Sequence, residues 1–533
     1  MASGAAVDEV FDYVIAGGGA AGVVLASRLS EDPHVRVALV EAGGPIEGDL
    51  VRAPALYPLL AGTAFDWGYA TEPQAGLDGR RIPYPRGRGL GGSASINALL
   101  WVRGHRSDWD GYRDAGCEGW GWDDVFPCFL RAEDREGREV RRHAEGGSVR
   151  IERPRAATPL ERAFVEASAR LGRVPAWADL NRPEQAGAGL HDLTQRGGER
   201  AGVVDGYLDP ARRRSNLHVF DSTLVDRVLF EGRRARGLRV LARDGVRVLG
   251  AEREIVLAAG SIGSPAILLR SGLGDPDALS ALGIACKAPL RAVGRNLEDH
   301  LYSYASVRAT HPSAARMHLG RASRSVPETI VRGSPYADNH VPAAAFVSLR
   351  EARRPDLQLY FSAWPAPEPR PDGTNAYDEG LTATIMVCPL RPRSRGRVEL
   401  ASADPVAPPR IDPAYLAEPD DLRAHVEGLR LAHAILADEA FRGLVAERLV
   451  PSGTSDEAIE ADVRRRATTV FHPVATCAMG AGEDSVVDPR LRVRGVDGLR
   501  VVDASVLPRM PGANTLAPTI VVAERGADLI LRR

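Results

Sequence analysis

Close to the N-terminus, Gly17-Gly18-Gly19-Ala20-Ala21-Gly22 follows directly on the β-branched and aromatic run Phe11 to Ala16. This G-x-G-x-x-G step constrains the fold more than any other feature, because it asks for a strand before it, a helix after it and a ligand at the turn between them. Val23 to Leu29 carries helix formers with apolar residues at helical spacing, and Val35 to Val40 reads as the next parallel strand, ending at Glu41. In such a βαβ unit Gly17 allows the tight turn, Gly19 lets a pyrophosphate approach the backbone, and Gly22 lets helix and strand pack closely. The helix N-terminus then faces the phosphates. Glu41, nineteen residues past Gly22, stands where an acid accepts hydrogen bonds from ribose hydroxyls. The loop by itself does not separate NAD from FAD.

Composition narrows the function classes. With 44% apolar and 26% charged residues, and 68 basic side chains against 70 acidic ones, the chain is expected to be an ordinary globular protein and not a nucleic-acid binder that works by bulk positive charge. All the basic residues but Lys287 are arginines, so the Gly-Lys-Ser/Thr step of a phosphate-binding Walker loop is absent and ATP hydrolysis on such a loop is excluded. Five scattered cysteines without a C-x-x-C pair argue against a disulfide framework or a thiolate metal site; no HExxH occurs, so no metal is expected. Met1 to Val7 lacks a basic start, and the longest apolar stretch, Ile255 to Leu269, is broken by Gly260, Gly263 and Pro265. Neither a signal peptide nor a membrane span is read, and the expected location is cytoplasmic.

A second glycine cluster, Pro85-Arg86-Gly87-Arg88-Gly89-Leu90-Gly91-Gly92-Ser93-Ala94-Ser95-Ile96-Asn97, would make a poor core segment but a good cradle for an extended cofactor, since backbone N–H groups can approach it without Cβ obstruction. Here, and again at Gly260-Ser261-Ile262-Gly263-Ser264-Pro265 through Gly274, the chain resembles the glucose-methanol-choline (GMC) family of FAD-dependent oxidoreductases, whose two signatures these stretches match. One position departs, Ala94, where the family has Gly, Ser or Thr. The resemblance covers nearly the whole chain and is weakest between about Pro312 and Arg354. It implies an α/β plus α+β architecture: a discontinuous Rossmann-like FAD-binding domain with an antiparallel-sheet substrate-binding domain, of the p-hydroxybenzoate-hydroxylase type. It further implies that Ala20, Ala21, Ala42, Trp67, Arg88, Leu90, Gly91, Gly92, Ser93, Asn97, Val225, Ala259, Gly260, Asp503, Ala504 and Thr515 join Gly17, Gly19, Gly22 and Glu41 in holding FAD. Some relatives bond the flavin covalently through a histidine where this chain has Ile96, so the FAD is expected to be non-covalent.

Near the C-terminus come Phe471-His472-Pro473-Val474-Ala475-Thr476-Cys477 and Asn514-Thr515-Leu516-Ala517-Pro518-Thr519. Taken alone, His472 would more often be structural than catalytic. The resemblance reverses that reading: it places His472 at the flavin's reactive edge with Asn514 beside it, and Ala475 replaces the usual glycine, a methyl expected to tighten the loop next to the ring. The residue types suit the chemistry. Oxidising an alcohol takes a hydride from carbon and a proton from oxygen; a neutral imidazole takes the proton and a carboxamide donates to the hydroxyl oxygen. His300 and His105 are read as structural.

The expected activity is FAD-dependent oxidation of a primary alcohol to the aldehyde, with electrons passing on to O2 or another acceptor. A lyase on the same scaffold, a hydroxynitrile lyase or fatty-acid photodecarboxylase, is the alternative, and a non-catalytic FAD binder is a third. Ala259-Gly260-Ser261-Ile262-Gly263 falls one methyl short of a G-x-S-x-G hydrolase elbow, and Ala259 cannot make the strained turn that the first glycine makes there. Motifs near residues 20, 90, 260 and 500 must meet at one flavin, so the FAD domain is assigned to 1–155, 205–305 and 465–533, and the substrate domain to 156–204 and 306–464. Within the latter, 356–361 and 382–387 read as strands, 420–436 as a helix, and 312–334 and 363–373 as loops at the pocket mouth.

Overall fold

The computed structural model describes residues 7–135, 143–154, 157–317, 339–349, 354–370, 375–378 and 380–531. Two seven-stranded sheets organise them. In the first, β1 (Glu9–Ala16) pairs in parallel with β2 (Val37–Val40), and β2 with β3 (Leu217–Phe220). Beyond β1, an antiparallel run of β4 (Leu224–Glu231), β5 (Arg234–Ala242) and β6 (Gly245–Leu257) completes the order β3-β2-β1-β6-β5-β4. The last three residues of β6, beyond its pairing with β5, pair with the short strand Leu499–Val501, which brings a segment from the end of the chain back to the first sheet. All four residues of β2 are buried, as expected of a parallel strand covered on both faces. Helix α1 (Ala20–Leu29) begins one turn earlier than its apolar periodicity suggested, because Ala20, Ala21 and Gly22 are its first residues and not part of the loop. Helix α2 (Gly260–Arg270) follows β6, as the turn at Ala259 and Gly260 required.

The second sheet is antiparallel: β7 (Leu301–Ala309), β8 (Ala343–Val347), β9 (Leu357–Ser362), β10 (Thr382–Pro389) and β11 (Val445–Val450) lie in the order β11-β7-β10-β9-β8, with Gly187–Leu190 on the far edge. The predicted strands and helix are here within a residue or two, the helix being α3 (Pro419–Leu436). Alternation splits this sheet's faces. Val307, Ile385, Leu359 and Phe361 pack into a core with Val426 and Leu429 of α3, each fully buried aliphatic or aromatic side chain contributing about 1.5–3 kcal/mol. Tyr304, Met386 and Tyr360, directly opposite one another across β7, β10 and β9, point to the other face. Because β7 runs from Leu301 to Ala309, a boundary at 305 falls inside a strand of the second sheet. Of the segments read as loops, Pro312–Met317 forms a 3-10 turn and Glu368–Pro369 a short strand, while 318–334 and 371–373 lie outside the described residues. Among the described residues no helix is long and apolar enough to cross a membrane.

Candidate active site

Between the two sheets lies a cavity of about 1520 Å³, larger than the roughly 300–1,000 Å³ that one drug-sized ligand takes. One end is built by the first glycine loop. Gly17 has φ +105, and a Cβ there would sit 2.6 Å from the Ala258 carbonyl oxygen; a Cβ on Gly22 would lie 1.8 Å from the Gly17 oxygen. The two glycine clusters touch each other: the Gly91 N–H donates to the Gly18 carbonyl at 2.7 Å, and a Cβ on Gly92 would come within 2.8 Å of the Gly19 Cα. At Gly19 and Gly260 the situation is the opposite. A Cβ on Gly19 would meet nothing nearer than 4.0 Å and one on Gly260 nothing within 4 Å, and both residues line the cavity. Bare backbone facing open space is the cradle that an extended dinucleotide needs, so the residues present fit the cofactor.

Glu41 closes this end. Its carboxylate accepts N–H bonds from Gly18 (2.7 Å), Gly43 (3.1 Å) and Gly89 (3.0 Å), so it ties both glycine clusters to the end of β2 while still reaching the cavity wall. Burial pushes its pKa up, against those backbone donors. Asp503 holds the other side by accepting from the Gly260 N–H (2.9 Å), the Ser264 hydroxyl (2.6 Å) and the Ser505 N–H (2.8 Å).

Most of the residues expected at the cofactor line this cavity: Gly17, Gly19, Ala20, Ala21, Glu41, Ala42, Trp67, Gly92, Ser93, Asn97, Val225, Ala259, Gly260, Asp503, Ala504 and Thr515. Four do not reach its wall. Gly22 lies beneath Gly17, where its lack of a side chain serves packing. Leu90 and Gly91 are the backbone clasp behind the loop, through Leu90 N–H to Gly44 and Gly91 N–H to Gly18. Arg88 lies over the Trp67 ring, its guanidinium carbon 5.1 Å from the centroid. Ile96 lines the cavity and packs with Ile46, Val51 and Leu60. Ala475, at φ +70 and buried in the first sheet's core, is not part of the cavity wall. Ser261 donates to the Pro473 carbonyl at 2.6 Å, an arrangement with no use for a nucleophile. His105 caps the helix Arg106–Asp114 by accepting from the Ser107 N–H.

Midway along the cavity His472 and Asn514 meet, with Asn514 Nδ2 3.3 Å from His472 Nε2. The surrounding bonds select the tautomers. Asn514 Oδ1 receives the Gln358 amide at 3.2 Å, so its Nδ2 is the donor, to the Tyr360 hydroxyl at 3.2 Å and to His472. His472 Nε2 therefore carries a lone pair and Nδ1 the proton, which is donated to His300 Nδ1 at 3.0 Å. His300 in turn directs its Nε2 proton to the Leu390 carbonyl at 3.4 Å. Burial lowers His472 well below the ordinary imidazole range, with the Arg86 guanidinium acting in the same direction; burial also takes His300 down to about 4. Both rings are neutral at physiological pH. The Asp299 carboxylate pins the loop, accepting from the His472 N–H (2.7 Å), Thr469 (2.6 Å), Tyr84 (2.7 Å) and Tyr415.

His300 was read as structural among charged and turn-forming neighbours; it is instead fully buried and in direct contact with His472. Gln358 and Tyr360 were missed altogether. Their signal was present, since polar residues at 358, 360 and 362 share one face of an otherwise apolar strand, which marks a wall facing a cavity.

Two profiles described as GMC oxidoreductase match the chain, over residues 11–302 and 392–523, and leave unmatched the middle stretch that contains its weakest resemblance. An alcohol dehydrogenase [acceptor] of Pseudomonas putida is 35% identical over 98% of this chain and 96% of its own length. An oxygen-dependent choline dehydrogenase of Photobacterium profundum is 37% identical over 98% and 94%. Among solved structures, pyridoxine 4-oxidase from Mesorbium loti superposes with a TM-score of 0.90 at 34% identity, over 98% of this chain and 99% of that one.

Proposed function

The chain belongs to the GMC oxidoreductase family of FAD-dependent enzymes, and on that premise we propose that it oxidises a primary alcohol to the aldehyde, with His472 as general base and Asn514 as the partner of the hydroxyl oxygen. The observation that carries this reading is the His472–Asn514 contact on the wall of the same cavity that the glycine cradle opens into. FAD, when bound, supplies the acceptor for the hydride at its N5. Gly19, Gly260, Glu41 and Asp503 are the residues that would hold it.

The remaining work falls to side chains. A hydroxyl entering between Asn514 Nδ2 and His472 Nε2 meets a donor for its oxygen and a lone pair for its proton. His300, by accepting the Nδ1 proton, keeps that lone pair on Nε2, the nitrogen facing the cavity. Asp299 holds the His472 backbone, and Arg86, donating to the Phe471 carbonyl at 2.9 Å, disfavours a charged ring. Burial that keeps the base neutral also makes the imidazolium a poor resting state, so the proton has to be passed on after each turnover.

The sign of the pH dependence follows. A base whose pKa is depressed keeps its active form as pH falls past 6.5, and loses it only on passing the lowered value. The acid limb of the kcat profile is expected below pH 6.5, and a limb at or above the free-imidazole value contradicts the assignment. The FAD is non-covalent in this proposal, since Ile96 stands where a linking histidine would be. Acid precipitation should leave the yellow colour in the supernatant; colour retained on the washed pellet refutes it. The activity itself is tested by mixing holoenzyme anaerobically with a panel of alcohols, then admitting air or artificial acceptors. Bleaching of the flavin absorbance is expected, and its absence across the panel defeats the reading.

A further inference from the structure

Resting on that reading, the far end of the cavity narrows the alcohol. Its floor is the polar face of the second sheet, with Tyr302 and Tyr304 edge to face at 5.2 Å and Tyr360 across β10 from them. Its side wall is a stack: Tyr57 on His340 with centroids 4.7 Å apart and planes 10° apart, then His340 on Trp364 at 5.3 Å and 28°. Burial takes His340 down to about 4, so the imidazole in this stack is an uncharged ring. Aromatic walls of this kind accept either a flat aromatic ring or a quaternary ammonium.

Charge decides between them. An ammonium withdrawn from water needs a carboxylate nearby. Among the described residues the cavity wall carries four carboxylates, three of them engaged by backbone N–H groups and the fourth exposed to solvent. Glu41 and Asp503 belong to the glycine loops, and Asp66 is taken up by the N–H groups of Gly62, Gly68 and Arg86. Asp78 is exposed at the rim and lies in the field of Arg80. The half-buried Arg80 guanidinium lines the same end beside Tyr304, bonded to the Arg464 and Ala467 carbonyls (3.1 and 3.0 Å) and to no carboxylate among the described residues. Arg465 and Arg466 are paired with Glu368 and Asp462.

We infer that the site takes an aromatic primary alcohol carrying no positive charge, with Arg80 setting the preference for an uncharged or acidic ring substituent over a cationic one. This preference would set the chain apart from its choline-acting relative. The test measures anaerobic flavin reduction of the holoenzyme by benzyl alcohol, para-carboxybenzyl alcohol, para-trimethylammonium benzyl alcohol, hexanol and choline. Benzyl alcohol should exceed choline in kcat/KM by about 100-fold, and the carboxy compound should exceed the trimethylammonium compound by about 10-fold or more. Arg80→Met should shrink that second ratio and Arg80→Glu invert it; as a ratio, it is insensitive to any general loss of folded enzyme. Choline equal to or better than benzyl alcohol overturns the inference while leaving alcohol oxidation standing, as does hexanol matching benzyl alcohol. A ratio unmoved in both Arg80 variants removes Arg80 from it. Should none of the five bleach the flavin, alcohol oxidation itself fails, and the substrate class with it.

Discussion

His472→Ala is expected to slow flavin reduction by an alcohol by about two to four orders of magnitude, the usual worth of a positioned general base. The loss falls on kcat and not mainly on KM, because the imidazole takes up the substrate's proton only as the C–H bond breaks. Three features of the site set this size: Nε2 is the unprotonated nitrogen, it faces Asn514 across the cavity wall, and burial keeps the ring neutral. Asn514→Ala should cost less, since it removes one donated hydrogen bond and leaves the base in place. The measurement is the rate of flavin bleaching in an anaerobic stopped-flow mixer. A His472→Ala enzyme that bleaches as fast as the parent shows that the proton goes elsewhere.

Asp299→Ala is expected to destabilise the protein by about 4 kcal/mol, because it strips the acceptor from four buried donors, each orphan costing roughly 1–3 kcal/mol, and the hydroxyls can turn to find substitutes while the His472 N–H cannot. Asp299→Asn should retain most of that stability, since a carboxamide oxygen still accepts and its NH2 can donate to a tyrosine oxygen that rotates. Chaotrope unfolding of the two variants beside the parent reads the difference as a shift in midpoint. The alanine variant should also lose activity beyond its loss of folded protein, as the loop carrying His472 is no longer pinned. Equal midpoints for all three proteins contradict the role given to this carboxylate.

How much of this was legible beforehand differs from residue to residue. The first βαβ unit was, because G-x-G-x-x-G, the apolar periods around it and Glu41 lie within thirty residues and each demands the next. Strands β9 and β10 and helix α3 were also legible from local alternation and periodicity. His300 was not, since its segment gives no hint that a residue 172 positions away will lie against its ring. The same holds for Asp299, whose four donors come from Tyr84, Tyr415, Thr469 and His472. Arg88 and Leu90 were expected among the residues that hold FAD and do not reach the cavity wall, because spacing in a loop does not tell which of its residues face the cavity and which hold it from behind.

The amino-acid order alone determined the nucleotide turn, the two kinds of sheet and the family, because these rest on steric demands and periodicities that act over a few residues: a glycine where no Cβ fits, alternation where a strand has two faces. Only the folded chain decided which tautomer His472 adopts, what pins it, and that the far end of the cavity is aromatic with an arginine and, among the described residues, no buried carboxylate. Those properties are relations between side chains hundreds of residues apart, created when the strand Leu499–Val501 returns to the first sheet and β7, β9 and β10 turn their polar face toward it. Burial then sets protonation and charge balance, and burial exists only once both sheets have closed over the cavity.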